Sequence, residues 1–211
     1  MRPRKIRGKV LKNKFDQVHE MTRHLDLGCG VVPRNPFDAK ELYGVDVFLG
    51  EVQDDVYFRS CNFIFQPLPF DDCFFDYVSA FDVLEHIPRN SLDHGTQTMR
   101  YPFVNLMNEI HRVLKPRGVF YAVTPAFPFP AAFDDPTHVN AITERTHEYF
   151  CGTGASEAYG FKGEFELIQA EWIYAKYAQK AVRPFFVRIK NIHKRILKRA
   201  QHFCWKLRAV K

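Results

Sequence analysis

His24-Leu25-Asp26-Leu27-Gly28-Cys29-Gly30 reads as a short apolar strand running straight into a glycine turn. Two glycines one residue apart let backbone pass close beneath a bulky ligand, and an acid two residues before them can face a cationic group. A dinucleotide loop of the G-x-G-x-x-G kind would need a third glycine at position 33, where this chain has Pro33, so a nicotinamide reading weakens. The next apolar run, Leu42 to Val47, carries Asp46 near its end, 18 residues beyond Gly28. An acid ending the second strand of an open α/β sheet can hold both hydroxyls of a ribose.

The strand, the acid and the glycine pair resemble motif I of the class I S-adenosylmethionine-dependent methyltransferases. Further strings are similar to that family in the right order. Pro67-Leu68-Pro69-Phe70 with Phe75-Asp76-Tyr77-Val78 resembles its approach to the fourth strand; Val83-Leu84-Glu85-His86-Ile87 and the run Asn108 to Pro125 resemble the blocks around its fourth and fifth strands. The resemblance spans Arg23 to Pro125, about half the chain. It implies an α/β, Rossmann-like class I methyltransferase fold, a mainly parallel seven-stranded sheet with one antiparallel strand. It also implies S-adenosyl-L-methionine as cofactor, with Asp26 at the methionine end and Asp46 on the ribose. Gly28, Cys29, Gly30, Val47, Asn62 near the end of the third strand, and Phe81 complete the expected cofactor set. Asp76 is read as fixing the start of its strand. One departure stands out: Val31 to Lys40 contains Pro33 and Pro36, leaving room for a loop or a single turn where the family has a long first helix.

Ligands of such sheets bind beyond the carboxyl ends of the strands, so the segment after Thr124 is where an acceptor belongs. It is aromatic and proline-rich, then polar: Pro125 to Phe133, followed by Asp134-Asp135-Pro136-Thr137-His138-Val139-Asn140. Together with Arg100-Tyr101-Pro102-Phe103 it resembles methyltransferases associated with bacterial surface-glycan and lipopolysaccharide assembly. Aromatic faces suit the apolar side of a sugar ring, and carboxylate, imidazole and amide suit its hydroxyls. A sugar hydroxyl needs a general base, for which the candidates are His138, Asp135 and His86, in that order. His86 reads equally well as a structural histidine capping the following helix. Arg100, Tyr101, Asp134 and Asn140 are candidate acceptor contacts. The expected activity is O-methylation of a sugar in a cell-surface glycan or lipid-linked saccharide. The alternatives are an RNA or small-metabolite methyltransferase, or a non-catalytic cofactor-binding scaffold.

The 211 residues suffice for one core. Cys29, Cys61, Cys73, Cys151 and Cys204 are odd in number and scattered, which predicts reduced thiols, no disulfide frame and no metal. No apolar run reaches the length of a membrane span, and no signal peptide is read at the basic N-terminus. The formal charge of +6 hides a segregation: seven Lys or Arg and no acid in residues 1–14, twelve against Glu171 alone in 171–211, and eleven against 23 acids between. Uneven charge of this kind suggests that the ends meet an anionic surface.

From Phe185 the residues Ile189, Ile192, Ile196, Ala200, Phe203 and Leu207 recur at helical spacing, with Arg188, Lys190, Lys194, Arg195, Lys198, Arg199, Lys206 and Arg208 on the other faces. The expected division is therefore a basic arm (1–14), a methyltransferase domain (15–178) and a basic amphipathic C-terminal helix (179–211). Three readings of that helix compete: packing on the domain or a second subunit, binding nucleic acid, and lying on an anionic membrane surface. The last leads, each basic residue near such a surface contributing about 1 kcal/mol. It places the protein in the cytoplasm, peripheral at the inner face of the membrane.

Overall fold

The computed structural model describes residues 21–47, 56–152, 157–181 and 200–211. Its main sheet contains β1 (Arg23–Leu27), β2 (Glu41–Asp46), β3 (Val56–Ser60), β4 (Phe75–Phe81), β7 (Leu114–Pro125), β8 (Glu164–Ile173) and β9 (His202–Val210). A small hairpin, β5 (Ser91–Asp93) and β6 (Thr98–Arg100), precedes helix α1 (Pro102–Val113). The strands lie in the order β3-β2-β1-β4-β7-β9-β8, with β9 antiparallel to both neighbours and the remaining six mutually parallel. The chain thus has the class I methyltransferase fold expected from its sequence.

Alternation along the strands builds two cores. Phe120 and Ala122 of β7 face a large cluster with Leu25, Phe75, Val78 and the buried side of α1, including Phe103, Met107 and Ile110. Tyr121 and Val123 face the opposite layer, with Phe81, Ile173, Ala178 and Cys204. This period of two, with both faces covered, is what a central parallel strand requires.

The strand starts are tied down by charge. Asp76 accepts the Arg23 backbone N–H at 2.8 Å and the Lys115 ammonium at 2.8 Å. Arg112 of α1 donates to Glu109, to Asp72 and to the carbonyls of Leu68 and Phe70, holding the Pro67–Phe70 turn against the helix.

Between β1 and β2 the chain forms turns and no helix, as two prolines dictate. Phe37 takes the space: it stacks on Tyr77 at 4.2 Å and meets Tyr121 edge-on. The Asn35 side chain brackets Ala39, accepting its N–H and donating to its carbonyl.

The C-terminal expectation is corrected. His202–Val210 is not the end of an amphipathic helix but β9, inserted between β7 and β8, so the domain does not close at residue 178. Phe203 and Leu207 are four apart, a spacing that serves a helix face and equally a strand face; Trp205 and Ala209, buried with them, fit only the strand. Lys206 and Arg208 are engaged within the domain, with the Ala181 carbonyl and with Glu166. The rest of the proposed helix, 182–199, lies outside the described residues, as does the basic arm, 1–14. Glu164–Ile173 is the edge strand β8, whose partner is β9. Thr146–Phe150 forms a 3₁₀ turn after the loop that follows β7.

Candidate functional site

The carboxyl end of β1 is built on backbone geometry. Gly28 and Gly30 both have left-handed φ, +61° and +57°. A Cβ on Gly28 would fall 2.4 Å from Val83 Cγ2, whereas one on Gly30 meets nothing within 4 Å, so Gly30 faces open space. Its N–H donates to Asp46 Oδ2 at 2.8 Å across the loop, and Val47, next in the chain, is exposed. An open loop rimmed by an acid from the next strand fits a ribosyl ligand, and hence the S-adenosylmethionine that the motif implies.

Asp26 lies beneath, fully buried. It accepts the Ser79 hydroxyl at 2.6 Å and the Arg34 backbone N–H at 2.8 Å. Burial pushes its carboxyl up to about 6 despite these two bonds. The Ser79 hydroxyl, having given its proton to Asp26, accepts from His24 Nε2 at 2.8 Å. Burial holds His24 down to about 3, so its ring is neutral. Arg34 closes the loop from above: its guanidinium sits 4.8 Å from the Phe81 ring centroid. Cys29 is buried with its thiol pushed up to about 12 by burial, which removes it as a nucleophile. Asn62 turns its carbonyl oxygen onto the Ile64 N–H in the bend after β3.

The acceptor candidates gather at the carboxyl ends of β4 and β7. Glu85, in the short turn Leu84–His86, is 1% exposed. Its backbone carbonyl accepts the N–H groups of Val139 and Asn140, which pins the loop after β7 to the turn after β4. Its Oε2 accepts the Thr124 hydroxyl at 2.8 Å. Burial raises the Glu85 carboxyl above its ordinary range. His138 Nε2 lies 4.0 Å from Glu85 Oε1, and the His86 and His138 rings meet edge to face at 4.8 Å. Asp135, exposed, accepts the Thr137 hydroxyl at 2.7 Å, which holds its carboxyl below the usual range. His86, His138 and the Asp135–Thr137 pair thus form one group.

The other candidates are spread out. Asn140 is buried, donating to the Leu84 carbonyl and accepting from Arg89, so it shapes the site from within. Tyr101 lines a cavity of about 520 Å³ with Tyr149, Tyr159, Arg89 and Arg145. Arg100 pairs with Asp93 in the β5–β6 hairpin, and Asp134 is exposed in the turn after Pro130. Arg34, Ser79, Glu85, Arg89 and Thr124 were not singled out as site residues. Glu85 stood in the Val83–Ile87 string; Ser79, Arg89 and Thr124 carry no local signal, because each acts on a residue about forty to fifty positions away, and Arg34 reaches Asp26 across the glycine loop.

Residues 25–122 match the sequence model of a family described as a methyltransferase domain. No curated protein matches the chain in sequence. Among solved structures, an S-adenosylmethionine-dependent methyltransferase from Mesorhizobium loti is similar at TM-score 0.53 and 14% identity, covering 90% of this chain and 92% of its own. Phosphoethanolamine N-methyltransferase 1 of Haemonchus contortus is similar at TM-score 0.56 and 9% identity, over 90% and 39%. The cyclase SpnF is similar at TM-score 0.52 and 17% identity, over 90% and 74%. Such likeness shows the fold, and its range of chemistries leaves the acceptor to the site itself.

Proposed function

This chain is an S-adenosylmethionine-dependent methyltransferase, and we propose that its acceptor is a hydroxyl of a sugar in a cell-surface glycan or lipid-linked saccharide. The observation that carries this reading is His138. Its Nδ1 lies 3.2 Å from the Ala132 carbonyl, which can only accept, so the ring proton sits on Nδ1 and Nε2 keeps a free lone pair. An amine acceptor could attack once neutral; a sugar hydroxyl, with a pKa far above 7, has to lose its proton to a placed group. The aromatic cavity supports a sugar: Tyr101, Tyr149 and Tyr159 offer ring faces, and Arg89 and Arg145 suit a phosphate on the acceptor.

The cofactor, when bound, supplies a methyl group made electrophilic by a sulfonium. The residues of the chain do the rest by positioning. Asp26 and the 28–30 loop set the height of the cofactor, Asp46 its ribose, and the pinned loop after β7 sets the acceptor opposite. His138, through its Nε2 lone pair, would take the proton of the acceptor hydroxyl as that oxygen receives the methyl group the bound cofactor would supply. The basic stretches 1–14 and 183–199 support docking on an anionic inner membrane face, where lipid-linked saccharides are presented.

The test is incubation with methyl-labelled S-adenosylmethionine and a fractionated bacterial extract. Label in the lipid-linked glycan fraction is expected. Label confined to RNA or small molecules would replace the acceptor, and cofactor binding without any label would point to a scaffold. His138→Ala is expected to lower turnover about 10²- to 10⁴-fold while leaving cofactor affinity intact.

A further inference from the structure

The group around Glu85 contains a conflict that a proton acceptor alone does not resolve. Glu85 Oε1 is buried and has no hydrogen-bond partner. Across from it, His138 presents the lone pair of Nε2. His86 has the same tautomer for a separate reason. The Asp135 carboxylate takes the Thr137 hydroxyl proton, so that Thr137 Oγ1, 3.0 Å from His86 Nδ1, must accept from it; the Thr137 carbonyl, 3.3 Å away, also can only accept. Nδ1 therefore carries the proton and Nε2 a lone pair. The three side chains place one ligand-capable atom each within 4.8 Å of one another. A buried carboxyl oxygen without a hydrogen-bond partner, facing the Nε2 lone pair of His138 with the His86 ring alongside, is costly unless a proton or a cation joins them.

We propose that Glu85, His86 and His138 form a binding site for a divalent transition-metal cation that holds the acceptor hydroxyl. Two imidazoles and one carboxylate are the donor set of zinc sites and of the facial triads that bind manganese or iron, with positions left open for substrate oxygens. The second shell is in place: each imidazole donates its Nδ1–H to a backbone carbonyl or to the hydroxyl held by Asp135, the arrangement that orients ligating histidines. Ligands bound at about 2.0 to 2.2 Å stand roughly 3 Å apart, so atoms that lie within 4.8 Å of one another would draw together on binding. A hydroxyl bound to such a cation would be acidified, as metal-bound water is, and would release its proton to solvent. With a cation bound, His138 serves as its ligand in place of acting as the proton acceptor. The role given to the cation rests on the sugar-hydroxyl reading; the binding itself does not.

The full-length chain, stripped with chelator, would be titrated with Mn²⁺ by the loss of the free-ion electron paramagnetic resonance signal, and with Zn²⁺ by calorimetry. One cation per chain is expected. Glu85→Gln and His138→Ala should each weaken it at least ~10-fold, while circular dichroism and S-adenosylhomocysteine affinity stay unchanged. No stoichiometric binding by the wild-type chain, or equal binding by both folded variants, would overturn the site. Glycan labelling that survives chelation but not His138→Ala would overturn the cation's role in holding the acceptor and leave His138 as the base. A cation bound without glycan label would keep the site and remove the sugar reading.

Discussion

The two ends of the site are built by different means. At the carboxyl end of β1, seven consecutive residues do nearly everything: two left-handed glycines set the loop and one buried acid anchors it. Over β4 and β7, the working groups come from chain segments about fifty residues apart, Glu85 and His86 on one side, Thr137 and His138 on the other. The first region depends on backbone shape, the second on a meeting of side chains. Substitutions in the first should therefore damage fold and cofactor binding together, whereas in the second they should spare both.

Gly28→Ala is the hardest test of that contrast. The left-handed strain of about 1–2 kcal/mol adds to the collision with Val83, and a loss of about 3 kcal/mol is expected in chemical denaturation, with cofactor binding lost. A stable variant would mean that the loop does not rely on backbone shape. Asp46→Ala should weaken cofactor by about 1–3 kcal/mol in calorimetry; unchanged affinity would move the ribose elsewhere.

Asp26→Asn tests the buried anchor through pH. Between pH 4 and 6 the folded chain keeps a proton on Asp26 that the unfolded chain has lost, so this group makes stability fall as pH rises. His24 does the reverse, since the unfolded chain binds a proton that the folded chain refuses. The two slopes oppose each other in the native chain. In Asp26→Asn only the second remains, and stability should rise by about 1.4 kcal/mol per pH unit across that window in urea melts at fixed pH. A flat profile would show that the His24–Ser79–Asp26 chain does not titrate as described. Gly30→Ala is the mildest change, about 1 kcal/mol of strain with no collision, and should leave a folded protein whose cofactor affinity reports the open space at that position.

The same contrast explains what the sequence disclosed. The turn at Gly28 and Gly30 with Asp26 behind it was legible because a strand, an acid and two glycines are written within a few residues of each other, and the structure brings Asp46 onto the same turn. His138 and His86 were legible as types of residue, but their meeting depends on the bonds from the Glu85 carbonyl to Val139 and Asn140, which no local pattern records. Arg34 was hidden for a similar reason: its N–H reaches back to Asp26 only because two prolines fold the loop over. The tail was misread where two periods coincide. Phe203 and Leu207 satisfied a helix rule, and Trp205, the residue that decides for a strand, fell between them.

The place of β9 also sets an order of assembly. It pairs Val119 with Arg208 and Phe165 with Ala209, joining β7 to β8, which have no ladder of their own. Until β9 arrives, β8 has no strand to dock on and β7 presents a bare edge, so this half of the sheet must wait for contacts nearly ninety residues apart. Long-range closure of this kind slows folding and exposes strand edges in the meantime. A substitution at Trp205 should then be felt first in the refolding rate and in aggregation during refolding, at a distance from any bound ligand.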